Sequence, residues 1–217
     1  MNQQLLDIVV VLDRSGSMSS VLDDTIGGFN TFVDEQKRAE GQARMTLTRF
    51  DHEYEIVYER LEIAAVLALD RATFVPRGQT ALLDAVGRTI SAVAGRIAAG
   101  EESDRPFKVV FVILTDGQEN ASREFTRTQV LEMIREKRER AGWEFVFLGA
   151  GPDAVREATA VGIDRDKAAS WKSTKEAYEL YSKKLTKYRT DRDASGLGFD
   201  EEERKKLDDD GTPPKVH

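Results

Sequence analysis

Polar side chains follow two apolar runs of the sequence at the points where those runs end. The run LLDIVVVL is followed by Asp13, Ser15 and Ser17, and the run KVVFVILT is followed directly by Asp116. Carboxylate and hydroxyl oxygens are the ligands that small hard cations such as Mg²⁺ prefer. Two carboxylates that face each other repel, and a divalent cation removes that repulsion. These residues therefore predict cation binding, provided that the fold brings the two loops together.

The pattern of strands and helices predicts such a fold. Both apolar runs are rich in β-branched residues, which is typical of strands buried on both faces of a parallel sheet. Residues 43–50 and 53–59 predict two more strands joined by a tight turn, hence one antiparallel hairpin. Helical segments alternate with the other strands, which predicts an α/β fold with a doubly wound, mostly parallel sheet and one antiparallel edge hairpin. Ligands of such sheets bind beyond the carboxyl ends of the strands.

A third segment contributes a further hydroxyl. Thr80 stands at the start of a helix predicted over residues 81–99, where its side chain can point into the same crevice. The alternative is that these polar residues only cap helices and fill turns, as they often do. Three segments in a fitting order on fitting elements favour a metal site. We predict no catalytic residue and no organic cofactor, and five metal ligands: Asp13, Ser15, Ser17, Thr80 and Asp116.

These motifs resemble those of the von Willebrand factor type A (VWA) domain, a Rossmann-like fold, over about residues 5–172. The resemblance implies an intact metal-ion-dependent adhesion site (MIDAS), with Ser15 and Ser17 contacting the metal directly. It implies that Asp13 and Asp116 act partly through water, and that Thr80 binds directly or through water according to the bound ligand. The expected ion is Mg²⁺, with Mn²⁺ or Ca²⁺ as alternatives.

The resemblance also indicates a partner. A metal with few negative ligands keeps positive character and an open position, which suits a protein ligand that supplies an Asp or Glu carboxylate. Compact members without inserted helices resemble the bacterial and phage intracellular type, many of which work beside ring-shaped ATPases. An AAA+ ATPase is therefore one candidate partner, and an accessory subunit of a ring ATPase or chelatase-like assembly is one alternative function.

A second alternative is a Mg²⁺-dependent hydrolase that uses Asp13 as its nucleophile. Phosphatases of that kind generally have a second carboxylate two residues after the nucleophile, and Ser15 occupies that position here. The sequence also offers no evident general base. We therefore expect a binding module and not an enzyme.

Composition and charge indicate which partners and which cell compartment suit the chain. The formal net charge of −7 argues against nucleic acid as a partner, because phosphate contacts need a basic face. No apolar run approaches the length of a membrane span, and the first residues do not resemble a signal peptide. The chain has no cysteine, which fits a reducing compartment. We expect a cytoplasmic protein without membrane association.

We divide the chain into a VWA domain over residues 1–172, an amphipathic helix over 173–190 and an acidic tail over 191–217 that we expect to be flexible. The helix carries an apolar stripe, which packs on the domain or docks to a partner. Between Asp191 and Glu202 the tail matches the spacing of a calcium-binding loop, although an acidic connector is the simpler interpretation.

Overall fold

The computed structural model describes residues 2–191 and 194–208, and within these ranges it has six strands and six α-helices. The strands are β1 (Asn2–Asp13), β2 (Gln42–Phe50), β3 (Tyr54–Glu62), β4 (Pro106–Thr115), β5 (Glu144–Ala150) and β6 (Ala168–Trp171). The helices are α1 (Leu22–Arg38), α2 (Leu82–Ala99), α3 (Arg127–Ala141), α4 (Ala154–Ala160), α5 (Thr174–Asp191) and α6 (Glu201–Asp208).

The strands form one sheet in the order β3-β2-β1-β4-β5-β6. All neighbours are parallel except β2 and β3, which form the antiparallel hairpin at one edge. The prediction of a doubly wound, mostly parallel sheet with one antiparallel edge hairpin is confirmed. The chain leaves β1 toward β2 on one side and returns to β4 on the other. The carboxyl ends of β1 and β4 therefore flank the topological switch point, where ligands of such sheets bind.

Helices cover both faces of the sheet. Side chains of α1, α5 and α6 pack against one face, and side chains of α2, α3 and α4 pack against the other. Successive side chains of β1 alternate between the two cores, as the period of a strand requires: Ile8 and Val10 enter one, and Val9 and Val11 enter the other. Across residues 2–191 and 194–208, no helix combines the length and the apolar surface needed to cross a membrane.

The spacing of the sequence predicts a capping box of Thr126 and Gln129 at the start of one helix and a cap by Ser20, three residues before Asp23, at the start of another. These two predictions have different outcomes. The predicted capping box that opens α3 is confirmed, because the Thr126 and Gln129 side chains each accept from the other residue's backbone N–H. The predicted cap of α1 by Ser20 is wrong. A 3₁₀ turn over residues 16–21 precedes α1, and within it the Ser20 hydroxyl donates to the Ser17 carbonyl instead.

The segment after α5 is expected from the sequence to be a flexible acidic tail. Within residues 194–208 it instead contains regular structure. Residues 194–197 form a 3₁₀ turn, α6 follows, and Leu197, Phe199 and Leu207 are buried against the core. The Lys172 N–H also donates to the Leu207 carbonyl at 3.1 Å. Leu197 and Phe199 stand beside glycines and Leu207 stands among charged residues, so no apolar periodicity marks them in the sequence. The calcium-loop hypothesis depends on Asp193, which lies outside the described residues and leaves the hypothesis untested.

Candidate metal centre

Asp13 lies at the carboxyl end of β1 and is 0% exposed. One oxygen, Oδ1, accepts from the Ser15 backbone N–H at 2.6 Å, and the other, Oδ2, accepts from the Thr115 hydroxyl at 2.5 Å. Thr115 is the last residue of β4, so this second bond ties the ends of the two central strands together. Asp13 is therefore oriented by both loops that border the switch point.

A chain of oxygen contacts leads from the first loop to the second. The Ser15 and Ser17 hydroxyl oxygens are 3.1 Å apart, and the Ser17 hydroxyl donates to Asp116 Oδ1 at 2.6 Å. Ser15 is buried, whereas Ser17 is exposed and Asp116 is half-buried. The arrangement thus runs from the protein interior to solvent.

Thr80 reaches the same place from a third loop. A Cβ added to Gly117 would lie 2.7 Å from Thr80 Oγ1 and 3.4 Å from Ser17 Oγ. The space that a side chain at position 117 would occupy is therefore bordered by both hydroxyls, and glycine keeps that space free. The structure brings together all five residues that the sequence singled out: Asp13, Ser15, Ser17, Thr80 and Asp116.

Backbone hydrogen bonds hold the first and third loops against each other. The Gly16 N–H donates to the Gly78 carbonyl at 3.2 Å, and the Arg77 N–H donates to the Arg14 carbonyl at 2.8 Å. Gly78 has a φ of +69°, a left-handed conformation that glycine adopts without steric cost. The position of Thr80 relative to Ser15 and Ser17 is therefore fixed by the main chain.

The buried Asp51 side chain also links the first and third loops. Its side chain is 0% exposed, and Oδ2 accepts from Arg14 Nε at 2.9 Å and from Arg77 Nε at 3.0 Å. The Asp51 carbonyl also accepts from the Ala81 N–H at 2.9 Å. One buried carboxylate thus joins the loop that carries Ser15 to the loop that carries Thr80.

Sequence reasoning missed this role of Asp51. The residue was assigned only to the hairpin turn between β2 and β3, and Arg14 was a spacer between Asp13 and Ser15. The one signal in the sequence is Arg14 itself. A buried arginine needs an acid as its partner, but its burial becomes evident only in the structure.

Glu119 and Asn120 follow Asp116, and the sequence left them either as contacts for a partner or as an exposed turn. The structure places them against the start of α2. Asn120 Oδ1 accepts from the Thr80 N–H at 2.9 Å, and Glu119 Oε2 accepts from the Leu83 N–H at 2.9 Å. They satisfy backbone donors at the helix start and hold Thr80 in place.

Burial raises the pKa of Asp13 to about 6, although hydrogen bonds from Thr115 and Ser15 oppose the rise. The nearby Asp116 carboxylate adds to it. Burial also raises the pKa of Asp116, and the hydrogen bond from Ser17 opposes that change. Ionising both acids is therefore unfavourable unless a positive charge joins them.

The chemistry of this donor set is that of a hard-cation site. Within residues 2–191 and 194–208, no group of three or more histidine, aspartate or glutamate side chains is close enough to hold a metal ion. A metal at this edge of the sheet would therefore have at most the two carboxylates as charged ligands, and the hydroxyls of Ser15, Ser17 and Thr80 are the neutral oxygens beside them. Such a mixed oxygen set fits a cation that keeps several waters.

Comparisons with known proteins agree with this architecture. The family profile described as "von Willebrand factor type A domain" matches residues 7–180. No curated protein matches the chain.

Among solved structures, the chain is similar to proximal thread matrix protein 1 from the mussel byssus (15% identity, TM-score 0.59, 82% of this chain and 46% of that chain). One structure of that protein has a zinc-occupied MIDAS motif. The chain is also similar to a von Willebrand factor type A structure from Catenulispora acidiphila (14%, 0.56, 86% and 43%). A third is the pilus adhesin SpaC from Lactobacillus rhamnosus GG (15%, 0.62, 87% and 30%). The chain therefore spans less than half the length of each of these structures, and the likeness is one of fold.

Proposed function

The chain belongs to the von Willebrand factor type A domain family, and we propose that it is a metal-dependent protein-binding module. Domains of this family are often metal-dependent protein-interaction modules and are typically not enzymes. The observation that carries the proposal is the continuous set of oxygen contacts from Ser15 through Ser17 to Asp116. Five residues are proposed to hold one divalent cation: Asp13, Ser15, Ser17, Thr80 and Asp116.

The proposed ion is Mg²⁺. Oxygen-only ligands suit hard cations, and Mg²⁺ usually retains waters when a protein supplies one or two carboxylates. Mn²⁺ and Ca²⁺ have similar ligand preferences, and the mussel protein provides the example of zinc at a MIDAS motif. A bound cation supplies an open position that accepts a carboxylate oxygen from an Asp or Glu of a partner protein.

The proposed ligands have different roles in holding such an ion. Asp13 supplies negative charge from a buried position and is fixed at both of its oxygens. Ser17 and Asp116 stand at the solvent side, where a partner can approach. Thr80 sits on a loop of its own, so its hydroxyl shapes the open position without adding charge.

The geometry argues against the hydrolase alternative. A nucleophilic carboxylate needs a free oxygen that reaches the substrate. Asp13 is fully buried, which keeps a phosphate ester away from it, whereas each of its oxygens accepts one hydrogen bond and retains a lone pair for a small cation or its water. An accessory role beside an AAA+ ATPase is compatible with the binding module and concerns only the identity of the partner.

The proposal is tested by calorimetric titration of Mg²⁺, Mn²⁺, Ca²⁺ and Zn²⁺ into the wild type and two variants. Asp13→Ala removes one of two charged ligands and is expected to abolish binding. Thr80→Ala removes one neutral oxygen and is expected to weaken metal binding only a few-fold. It should reduce metal-dependent capture of a carboxylate-bearing partner much more, because water fills the position that the hydroxyl had shaped.

Thr89→Ala is the matched control, since Thr89 is also buried but bonds to Thr48 and to the Ala85 carbonyl within the core. It should leave metal affinity unchanged. Unaltered metal binding by Asp13→Ala would contradict the proposed ligand set. Mg²⁺-dependent turnover of p-nitrophenyl phosphate that disappears in Asp13→Asn would contradict the binding function itself.

A further inference from the structure

A cleft of about 200 Å³ opens beside the candidate metal centre. Asp116 belongs to both, because it is a proposed metal ligand and also lines the cleft. One wall is the loop 115–118 after β4, and the other is the loop 149–153 after β5. A ligand bound at Asp116 can therefore place a neighbouring group directly in the cleft.

The floor of the cleft is apolar. Leu82 at the start of α2, Phe147 on β5 and Ala154 at the start of α4 line it, and all three belong to the core on that face of the sheet. An occupant of this space would exchange water for contacts with hydrocarbon, which is favourable only for an apolar group.

Two glycines contribute to the wall that follows β5. A Cβ added to Gly149 would lie 2.7 Å from Ala154 Cβ and 2.7 Å from Phe147 Cε1, so the wall at this point is in contact with the floor. Gly151, with a φ of +77°, has nothing within 4 Å of an added Cβ and borders open space. The short motif Gly149-Ala150-Gly151, to which the sequence assigned no function, thus forms a side-chain-poor wall.

Two of the three acidic residues that line the cleft have arginine partners, and the third, Asp116, is a proposed metal ligand. Glu157 Oε2 accepts from Arg127 Nη1 at 2.9 Å, and Asp153 Oδ1 is 3.0 Å from Arg156 Nη2. With these two acids paired and a cation bound at Asp116, the lining would have little net charge to attract a lysine or arginine. The chemistry of the cleft therefore favours an apolar occupant over a cationic one.

We propose that this cleft receives a large apolar side chain, aromatic or branched aliphatic, from the same partner segment whose carboxylate binds at the metal. The inference rests on the proposed function and specifies the partner: an acidic residue with a bulky apolar neighbour. A cavity of about 150 Å³ in a protein core is large enough to bind benzene, so the size of the cleft suits a phenyl or leucyl group.

The test uses three small probes and the wild-type protein in saturating Mg²⁺. Acetate carries the carboxylate alone, 3-phenylpropionate carries the carboxylate and a ring, and 3-phenylpropan-1-ol carries the ring alone. Dissociation constants come from titrations followed by the amide signals of Gly117, beside the metal centre, and Gly151, at the cleft. We expect 3-phenylpropionate to bind about tenfold or more tightly than acetate, because it buries its ring.

Two variants locate the effect. Leu82→Ala removes part of the cleft floor and should abolish most of the advantage of 3-phenylpropionate while leaving acetate binding unchanged. Val86→Ala is the matched control, since Val86 is equally buried one turn further along α2 but does not line the cleft. It should leave the ratio of the two affinities as in the wild type. The probe comparison in the wild-type protein does not depend on the folding of either variant.

The outcomes separate the two proposals. Equal affinities for acetate and 3-phenylpropionate would overturn the apolar cleft and leave the metal-dependent function standing. Carboxylate binding that is the same with Mg²⁺ and with a chelator would contradict the proposed function. Binding of the alcohol as tightly as 3-phenylpropionate would also overturn the inference, because the ring would then bind without the metal.

Discussion

Two buried aspartates lie on β1, Asp7 in the middle of the strand and Asp13 at its carboxyl end. They are 3% and 0% exposed, and burial raises the pKa of each to about 6. By residue type, burial and pKa they are equivalent. Their surroundings are not, and the difference separates an acid that stabilises the fold from one that serves a site.

Asp7 is compensated by the chain itself. Its Oδ2 lies 3.4 Å from Arg60 Nε, and positive charges on Arg60, Arg44 and Arg96 oppose the rise of its pKa. Arg44 and Arg60 also bridge to Asp104 at 2.5 and 2.7 Å. Asp7 therefore lies in a mixed cluster of acids and arginines.

Asp13 is surrounded by hydroxyl and amide donors, and the charge that bears on its pKa is the carboxylate of Asp116. The two nearby arginines of the loops are directed to Asp51 instead. A buried carboxylate that faces a second carboxylate is stable in its ionised form only with a cation from outside the chain. The comparison thus supports a metal at the carboxyl end of β1 and a structural ion cluster around Asp7 in the middle of the strand.

The largest expected effect is metal-linked stability at one end of β1 only. A cation that binds the folded state raises the free energy of unfolding by roughly 4.1 kcal/mol at a thousand times its Kd. For a domain of this size the melting temperature should rise by about 8–16 °C. We expect this rise with Mg²⁺ in the wild type and in Asp7→Ala, measured by thermal unfolding. Asp13→Ala should show none, and an equal rise in that variant would place the ion elsewhere.

The next effect is a dependence of stability on pH in the metal-free protein. Both aspartates contribute to it, and replacing either one should remove the contribution of that residue. A folded-state pKa raised from 3.8 to about 6 favours the neutral acid in the folded protein. The resulting stability is present below pH 4 and is lost as the pH rises through 6, by about 2–3 kcal/mol for each group. In metal-free urea unfolding at pH 4 and pH 7, Asp7→Asn and Asp13→Asn should each reduce this loss.

Saturating Mg²⁺ sharpens the pH comparison. The cation binds ionised Asp13, so it should reverse that residue's contribution and leave the contribution of Asp7 in place. A pH dependence that Mg²⁺ alters equally in wild type and Asp13→Asn would show that the two aspartates do not differ in this way.

The smallest effect concerns the residues that orient the ligands. Asp51→Asn leaves every proposed metal ligand intact but weakens the link between the Arg14 and Arg77 loops. Metal affinity, measured by titration calorimetry, should fall about tenfold, as is typical when partners behind the ligands are lost. Asp104→Asn is the control at the other end of the sheet. It also breaks arginine contacts, and it should lower stability without changing metal affinity.

The sequence predicted the fold and the meeting of the three polar loops because both depend on regular patterns. The runs before Asp13 and Asp116 indicate two buried parallel strands, and the alternation of strands and helices indicates the doubly wound sheet, whereas the strand order comes from the structure. The cap of α1 was wrong because a 3₁₀ turn and a helix start have the same local composition. Asp51, Leu197 and Leu207 were missed because their roles depend on contacts with distant parts of the chain, which no local pattern records.

The sheet order also determines when the site can form during folding. Ser17 and Asp116 meet across 99 residues of sequence, since β1 pairs with β4 only after β2, β3 and α2 have been placed between them along the chain. A growing chain that ends before β4 carries the hydroxyls and only one of the two carboxylates. If the Ser17–Asp116 contact forms only after the folding transition state, a cation bound there would act mainly by slowing unfolding. Metal would then prolong the lifetime of the finished domain without speeding its formation.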